Sequence, residues 1–318
     1  MKTALIILNY NNFEDTINCI ESVEKYNSSP VKIIVVDNGS SREKCVPSLN
    51  SYLAERYKND YRCFDYEKDT PLNSLPYASF VISNTNDGYA RGNNKGLKYA
   101  YADGECDQVM ILNNDILFIE DIIPELTKRL EQQKDGAIMS PLLLKKDQKS
   151  IDYNCARNAP TVWHIILPYI FFFQNWFGIL SHIRLEKHIL RKSPEKLSMD
   201  VVPIDLPSGS CMLLKKALMK NIGGFDPHTF LYYEENILYK KIKRIGKQSY
   251  IAPSLRCVHL GAASTKNSAS GFTLTNAMKS SKYYIENYEN PTLLEKLAMK
   301  IAYFNMGLKI QIIKRLKG

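Results

Sequence analysis

The residues best placed to do chemistry are Asn113-Asn114-Asp115, which follow directly on the apolar run Val109-Met110-Ile111-Leu112. A carboxylate at the C-terminal tip of a buried strand can hold a divalent cation, magnesium or manganese, and that cation can neutralise a diphosphate as it leaves. The competing reading is an ordinary turn, since Asn and Asp both suit turns. Other strand tips carry similar groups. Ala4-Leu5-Ile6-Ile7-Leu8 ends in Asn9-Tyr10-Asn11-Asn12, and Val31 to Val36 ends in Asp37-Asn38-Gly39-Ser40, with a helical pattern through Ile17, Ile20 and Val23 between them. That βαβ order predicts a parallel sheet. In such sheets ligands sit outside the carboxyl ends of the strands, so these tips should line one crevice. Asp37 is then a candidate to accept hydrogen bonds from a base or ribose, or else one residue of a plain turn.

The pattern predicts a third strand over Ser79 to Ser83, followed by a loop from Asn84 to Gly96 and an amphipathic stretch around Leu97 and Ala100. Glycines let backbone N–H groups approach a ligand, Asn side chains donate or accept, and a following helix offers its positive end to phosphate. The loop can equally be structural. Its spacing matches neither G-x-x-x-x-G-K-[ST] nor G-x-G-x-x-G, which argues against P-loop NTPases and dinucleotide-dependent dehydrogenases.

Taken in order, Asn9-Tyr10-Asn11, Val35-Val36-Asp37-Asn38-Gly39-Ser40, Asn86-x-Gly88-Tyr89-Ala90-x-Gly92-Asn93-Asn94-x-Gly96 and Asn113-Asn114-Asp115 are similar to the successive motifs of family 2 glycosyltransferases. More narrowly, the chain resembles the rhamnosyltransferase-like branch found in bacterial O-antigen and capsule assembly. The resemblance continues through Pro207-Ser208-Gly209-Ser210-Cys211, Ile222-Gly223-Gly224-Phe225-Asp226, Phe230-Leu231-Tyr232-Tyr233-Glu234-Glu235 and His259 with Ser264. It implies an α/β GT-A fold, with a mostly parallel central sheet flanked by helices. On that reading residues 1–265 form the catalytic domain, with a nucleotide-sugar half (1–118), an apolar and basic insertion (150–198) and an acceptor half (200–265). Residues 266–318 form a helical appendage. The resemblance further places Asp37 on the base or ribose. It puts Asn9, Tyr10, Asn11, Asn86, Gly88, Arg91, Asn93, Asn94, Asn113 and Asn114 around the nucleotide sugar, and makes Asp115 the metal-holding aspartate. His259 is a further metal or phosphate contact or a structural histidine, and Ser208, Gly209, Gly224 and Asp226 belong to the acceptor region. One departure stands out: Asn113 occupies the place where the first aspartate of a D-x-D often stands.

An inverting displacement at an anomeric carbon also needs a base to take the acceptor hydroxyl proton. The resemblance places the family's acidic pair at Glu234-Glu235 and implies Glu235, at its second position, as the base, with Glu234 the alternative. Both also suit the first turn of a helix predicted over Glu234 to Ile245, and Asp226 before Pro227 also suits a turn. The implied reaction is metal-dependent transfer of a sugar, with dTDP-rhamnose the leading donor and UDP-hexoses open, to a lipid-linked oligosaccharide. Two other classes share the core: a non-catalytic subunit binding nucleotide-sugar or glycan, and a sugar-phosphate nucleotidyltransferase. The acidic pair disfavours the first. The lack of a Gly-rich loop with Arg and Lys after the first strand disfavours the second.

With 318 residues, 45% of them hydrophobic, there is chain enough for a large core. Seven scattered cysteines without a C-x-x-C pair argue against zinc and disulfides, and the start of the chain predicts a cytoplasmic protein. The net charge of +9 carries no nucleic-acid motif. Part of it lies near the C-terminus, where Leu293, Leu294, Leu297, Ile301, Phe304, Leu308, Ile312 and Leu316 recur at helical spacing among Lys296, Lys300, Lys309, Lys314, Arg315 and Lys317. This reads as a basic amphipathic helix, either on an anionic membrane surface or packed on the enzyme. The aromatic stretch Val162 to Leu180, followed by Arg184, Lys187, Arg191 and Lys192, reads as an interfacial segment, a lid or a homodimer contact rather than a span.

Overall fold

The computed structural model describes residues 1–170, 187–261 and 271–317. Strands β1 (Thr3–Asn9), β2 (Val31–Asn38), β3 (Tyr61–Asp65), β4 (Ala78–Ser83) and β5 (Gln108–Asn113) form a parallel block in the spatial order β3-β4-β2-β1-β5. The chain then supplies β6 (Ile116–Phe118), β7 (Gly136–Lys145), a short β8 (Ala156–Arg157), β9 (Val202–Ile204), β10 (Leu206–Pro207), β11 (Cys211–Lys215) and β12 (Gln248–His259). Strand β11 is antiparallel to both neighbours, β5 and β7, while β7 and β12 run parallel. β6 and β9 pair antiparallel with β12, and β8 with β10 makes a separate small ribbon.

Side chains alternate across the sheet, so each strand feeds two cores. Leu5 and Ile7 of β1 join Ile33, Val35 and the helices α1 (Phe13–Tyr26), α2 (Cys45–Tyr57) and α4 (Ile123–Gln132) on one face. Ala4 and Ile6 face the other side, with Ile34, Val36 and α3 (Gly88–Ala102). Strand β3 escaped the sequence reading because only Phe64 of its five residues is buried.

Helix α3 begins at Gly88, so most of the loop expected over Asn84 to Gly96 is helical instead. Its glycines serve helix-to-sheet packing. A Cβ on Gly96 would lie 2.5 Å from Ile6 Cγ2, and one on Gly92 2.7 Å from Leu8 Cδ1. Asparagine and glycine lower helix propensity, but close seating on β1 and β2 outweighs that preference.

A third core lies under the C-terminal helices Gly271–Tyr288 and Leu293–Lys317. There Val162, Ile165 and Ile166 of the helix Val162–Ile170 meet Ile237, Tyr284, Ile285, Met299 and Ala302. The described part of the aromatic stretch is thus packed on protein; residues 171–180, Arg184 and Ser264 fall outside the described residues. Among the described residues no helix is long and apolar enough to cross a membrane.

Two glycines give opposite expectations. Gly→Ala inside a helix normally stabilises by about 1 kcal/mol, and Gly307→Ala, with open space around its Cβ position, should raise the urea midpoint accordingly. Gly96→Ala should lower it, by roughly 1–3 kcal/mol of overpacking. A neutral or stabilising Gly96→Ala would show that α3 can lift away from β1 freely.

Candidate active site

Register brings the strand tips level. Asn9 pairs with Asp37 across β1 and β2, and Leu8 with Asn113 across β1 and β5. Asn9 is fully buried; its Nδ2 donates to Asp37 Oδ2 at 2.8 Å and Ser40 Oγ at 3.3 Å, and its Oδ1 accepts from Thr16 Oγ1 at 2.9 Å. Ser40 N donates to Asp37 Oδ1 at 2.9 Å. Asn114 Nδ2 closes the group by donating to Asn12 O and Thr16 Oγ1, at 3.0 and 3.1 Å. Asn11 adopts a left-handed backbone (φ 52°) and accepts from Ser41 N through Oδ1, leaving Tyr10 exposed at the rim. These side chains hold the crevice floor rigid, and Asp37 lies beneath it with both oxygens engaged.

Asp115 ends this row. Strand β6 starts one residue later and runs antiparallel to the end of β12, so Ile116 faces His259 and Leu260 N donates to Asp115 O at 2.9 Å. His259 Nε2 therefore comes within 3.5 Å of Asp115 Oδ2, while its Nδ1 lies 3.2 Å from Asp152 Oδ2. Burial opposes a charged imidazole here, yet hydrogen bonds to Asp115 and Asp152 hold the His259 pKa up at about 9. Burial likewise opposes the Asp152 carboxylate, but His259 and Asn154 bring it down to about 2. Asp115 Oδ1 is buried with no hydrogen-bond partner among the described residues. An orphaned carboxylate oxygen beside an imidazole nitrogen, whose far nitrogen a second carboxylate orients, suits a divalent cation that displaces the proton from His259 Nε2. Among the described residues no cluster of three or more His, Cys, Asp and Glu forms a cation cage. The fit is to a cation that takes its remaining ligands from a diphosphate and water, as magnesium commonly does.

The second half of the site is joined to the first through Ser208-Gly209-Ser210. Ser210 O accepts from Asn113 N at 2.8 Å, and Ser210 Oγ lies 3.4 Å from His259 Nε2. Ser208 Oγ donates to Ser210 Oγ at 3.0 Å. Between them Gly209 N donates to Glu235 Oε1 at 3.0 Å, and Gly209 O accepts from Tyr89 Oη at 2.6 Å. A Cβ on Gly209 would sit 2.8 Å from that hydroxyl and 2.9 Å from Glu235 Oε1, so any larger residue would displace one of these two side chains. Arg157 Nη2 reaches the same Oε1 at 3.6 Å. Among the described residues no hydrogen bond falls on Oε2.

Glu235 owes its direction to a sharp turn. Tyr232 and Tyr233 are both left-handed (φ 74° and 70°) immediately before the helix Glu234–Arg244. Such backbone costs roughly 1–3 kcal/mol per residue and persists where the surroundings enforce it. The turn sends Glu234 inward, where burial first and the neighbouring Glu235 second push its pKa up to about 8. Burial thus favours the protonated form of Glu234, whereas Glu235 remains partly exposed.

Other motif residues bind the two halves together. Asn38 Oδ1 and Asn86 Oδ1 accept from Asp87 N and Gly88 N, and Phe230 O accepts from Tyr89 N, so the leading amides of α3 are already paired rather than free for phosphate. Gly88 has φ +80°, and a Cβ there would lie 2.1 Å from Phe230 O. Asn94 Nδ2 donates to Phe225 O at 2.8 Å and its Oδ1 accepts from Phe225 N at 2.9 Å, against Gly224. Arg91 Nε donates to Pro227 O at 2.7 Å, and Asn93 is wholly buried, donating to Tyr89 O. Asp226 faces the C-terminal region: its carboxylate accepts from His228 N at 2.9 Å, Tyr283 Oη at 3.1 Å and Tyr288 Oη. Burial raises its pKa, but these hydrogen bonds win and hold it below the usual value. Asp152 and Arg157 were missed from sequence. Each is an isolated charged residue in a stretch read as an insertion, and only the return of the chain after β7 brings them in, with Asp152 N donating to Leu143 O.

A ten-stranded mixed sheet with helices on both faces, with the Asp115 and Glu235 carboxylates near the ends of its central strands, is an architecture of the GT-A type. Residues 4–194 match the model of glycosyl transferase family 2, and the chain belongs to that family. It is 26% identical over 232 residues to the low-salt glycan biosynthesis hexosyltransferase Agl10 of Haloferax volcanii, covering 73% of this chain and 58% of that protein. It is 23% identical over 247 residues to the N-acetylglucosaminyl-diphospho-decaprenol L-rhamnosyltransferase of Mycobacterium tuberculosis, covering 74% of this chain and 68% of that one. Among solved structures, it is similar to GalNAc-T7 with UDP, GalNAc and Mn2+ (TM-score 0.61, 13% identity, 99% of this chain and 57% of that one). The mannosyltransferase PcManGT from Pyrobaculum calidifontis, in complex with GDP-Man and Mn2+, gives a TM-score of 0.56 at 13% identity, over 96% and 74% of the two chains.

The buried Glu234 sets a pH dependence. Unfolded, it loses its proton near the ordinary value of 4.5; folded, it keeps it to about 8. Between these values the native state holds more protons, so the Glu234 contribution falls as pH rises, by about 1.4 kcal/mol per unit at most. Urea midpoints of the wild type should therefore drop from pH 5 to pH 8 more steeply than those of Glu234→Gln. Parallel pH profiles for the two proteins would mean that the carboxyl is solvated or charged in the native state.

Proposed function

We propose that this protein is a metal-dependent inverting glycosyltransferase, moving one sugar from a nucleotide diphosphate donor to a hydroxyl of a lipid-linked glycan during cell-surface polysaccharide synthesis. The observation that supports the reading is the Ser208–Ser210 segment, which touches His259, the neighbour of Asp115, through Ser210 and Glu235 through Gly209. Asp115 and His259 would hold the cation. When bound, it supplies positive charge to the departing diphosphate.

The chain's own groups account for the other half of the reaction. Glu235 Oε2 takes the proton of the acceptor hydroxyl, the freed oxygen forms a bond to the anomeric carbon from the face opposite the diphosphate, and the bond from that carbon to the phosphate oxygen breaks. The configuration inverts, and the electron pair leaves with the nucleoside diphosphate. Gly209 N and Arg157 fix the carboxylate through Oε1, so its other oxygen is presented in one orientation.

Rhamnose from dTDP-rhamnose is the leading donor and a UDP-hexose the other, in keeping with the rhamnosyl and hexosyl activities in the relatives' names. The diphospho-decaprenol in the name of the mycobacterial relative supports an acceptor carried on a polyprenyl diphosphate. An acceptor of this kind favours a peripheral position on the inner face of the cytoplasmic membrane.

The reaction is tested by nucleoside diphosphate release from dTDP-, UDP- and GDP-sugars, with membrane lipid extract as acceptor, in Mg²⁺ or Mn²⁺ and then in chelator. One donor should be turned over, and only with metal. Glu235→Gln should keep donor affinity while turnover drops by roughly 10²–10⁴, and Asp115→Ala should lose the metal-dependent part of donor binding. Turnover by Glu235→Gln at the wild-type rate would remove Glu235 from the role of base, and equal donor affinity with and without metal would remove Asp115 from its role.

A further inference from the structure

The helix Leu293–Lys317 has apolar residues on two opposite faces. One face, carrying Met299, Ala302, Met306 and Ile310, is buried on the body of the protein. The other carries Leu293, Leu294, Leu297, Ile301, Phe304, Leu308 and Ile312, which remain between 38% and 76% exposed. At 100° per residue these seven fall within one third of the helix circumference, in a stripe roughly 30 Å long. Contiguous exposed apolar surface of this extent marks an interaction site.

The borders of the stripe say what covers it. Lys296, Lys300 and Lys314 lie along one margin, Arg315 stands at the end of the stripe itself, and Lys309 lies on the far margin; the helix has a single acid, Glu295, which is turned away and accepts from Thr292 N at 2.8 Å. Lys296 and Lys300 also line a cavity of about 840 Å³ beside the preceding helix, together with Lys282 and the carboxylates Glu286 and Glu289. Those carboxylates are taken: Glu286 lies 3.8 Å from Lys282, and Glu289 is held by Lys240 and Tyr284. A second copy of this chain would bring one basic border against another. An anionic lipid surface instead accepts the apolar side chains among its acyl chains and the lysines at its phosphates.

We propose that this outward face of Leu293–Lys317 is the seat of the protein on an anionic bilayer, with Leu297, Ile301, Phe304 and Leu308 dipping below the headgroups and Lys296 and Lys300 engaging lipid phosphate. The seat deepens the peripheral placement proposed above, and its test reads binding rather than turnover, so the two fail separately. The full chain is floated with vesicles of phosphatidylcholine alone or with added phosphatidylglycerol. Binding should be roughly tenfold or more tighter to the anionic vesicles and weaken with salt. Ile301→Glu with Phe304→Glu should abolish it without moving the melting temperature, because neither side chain is buried. Lys296→Gln with Lys300→Gln, a milder change to exposed residues, should weaken it roughly tenfold or more. Undiminished binding by the folded Ile301→Glu, Phe304→Glu variant overturns the proposal. So does wild-type protein that ignores anionic vesicles, and a dimer split by the same pair would then assign the stripe to self-association.

Discussion

The site depends on one antiparallel strand. β11 enters the sheet between β5 and β7 and begins at Cys211, opposite Leu112. Its run-in, Ser208-Gly209-Ser210, is therefore delivered to the edge where the parallel strands end. Were β11 parallel, that segment would lie at the far edge of the sheet, and Glu235 would lose the amide that orients it. The antiparallel pairing of β6 with β12 does the same service for Asp115 and His259. Two reversals of direction within a parallel sheet thus collect groups spread over more than a hundred residues of sequence.

Around these reversals the polar side chains act mainly on one another. Lys95 is nearly buried, with Nζ 2.7 Å from Asp87 and donating to Ser83 Oγ at 2.5 Å, which fixes the turn between β4 and α3. Asn94 clamps the Phe225 backbone from both sides. A buried amide that satisfies a peptide N–H and C=O together cannot be replaced by an apolar residue without orphaning both. The asparagine-rich motif thus specifies how the two halves meet, and through that meeting the width of the crevice.

Strand tips were legible because a central parallel strand is apolar on both faces and stops at its first polar residue. Asn9, Asp37 and Asp115 stand at or just past such tips, and the ordered motifs pointed to the GT-A fold that the sheet order shows. The start of α3 was not legible, since glycine and asparagine signal a loop locally and only the surfaces of Ile6 and Leu8 explain why a helix needs them. Asp152 and Arg157 carry no local pattern; their meaning comes from the small ribbon pairing β8 with β10. For the last helix the stripe of leucines and isoleucines drew attention to one face, and the methionines and alanine opposite it were silent until Tyr284 and Ile165 were seen beneath them.

That two-sided helix bears on how the protein is handled. Apolar surface left in water favours adhesion between molecules, so preparations should be sensitive to ionic strength and to mild detergent. Removing the helix is a poor remedy, because cutting at residue 292 uncovers Ile165, Ile166 and Tyr284 in exchange for the leucines it deletes. Recharging the outer face while leaving the buried Met299, Ala302, Met306 and Ile310 alone keeps the inner face of the helix sealed, and is the route to a well-behaved soluble form.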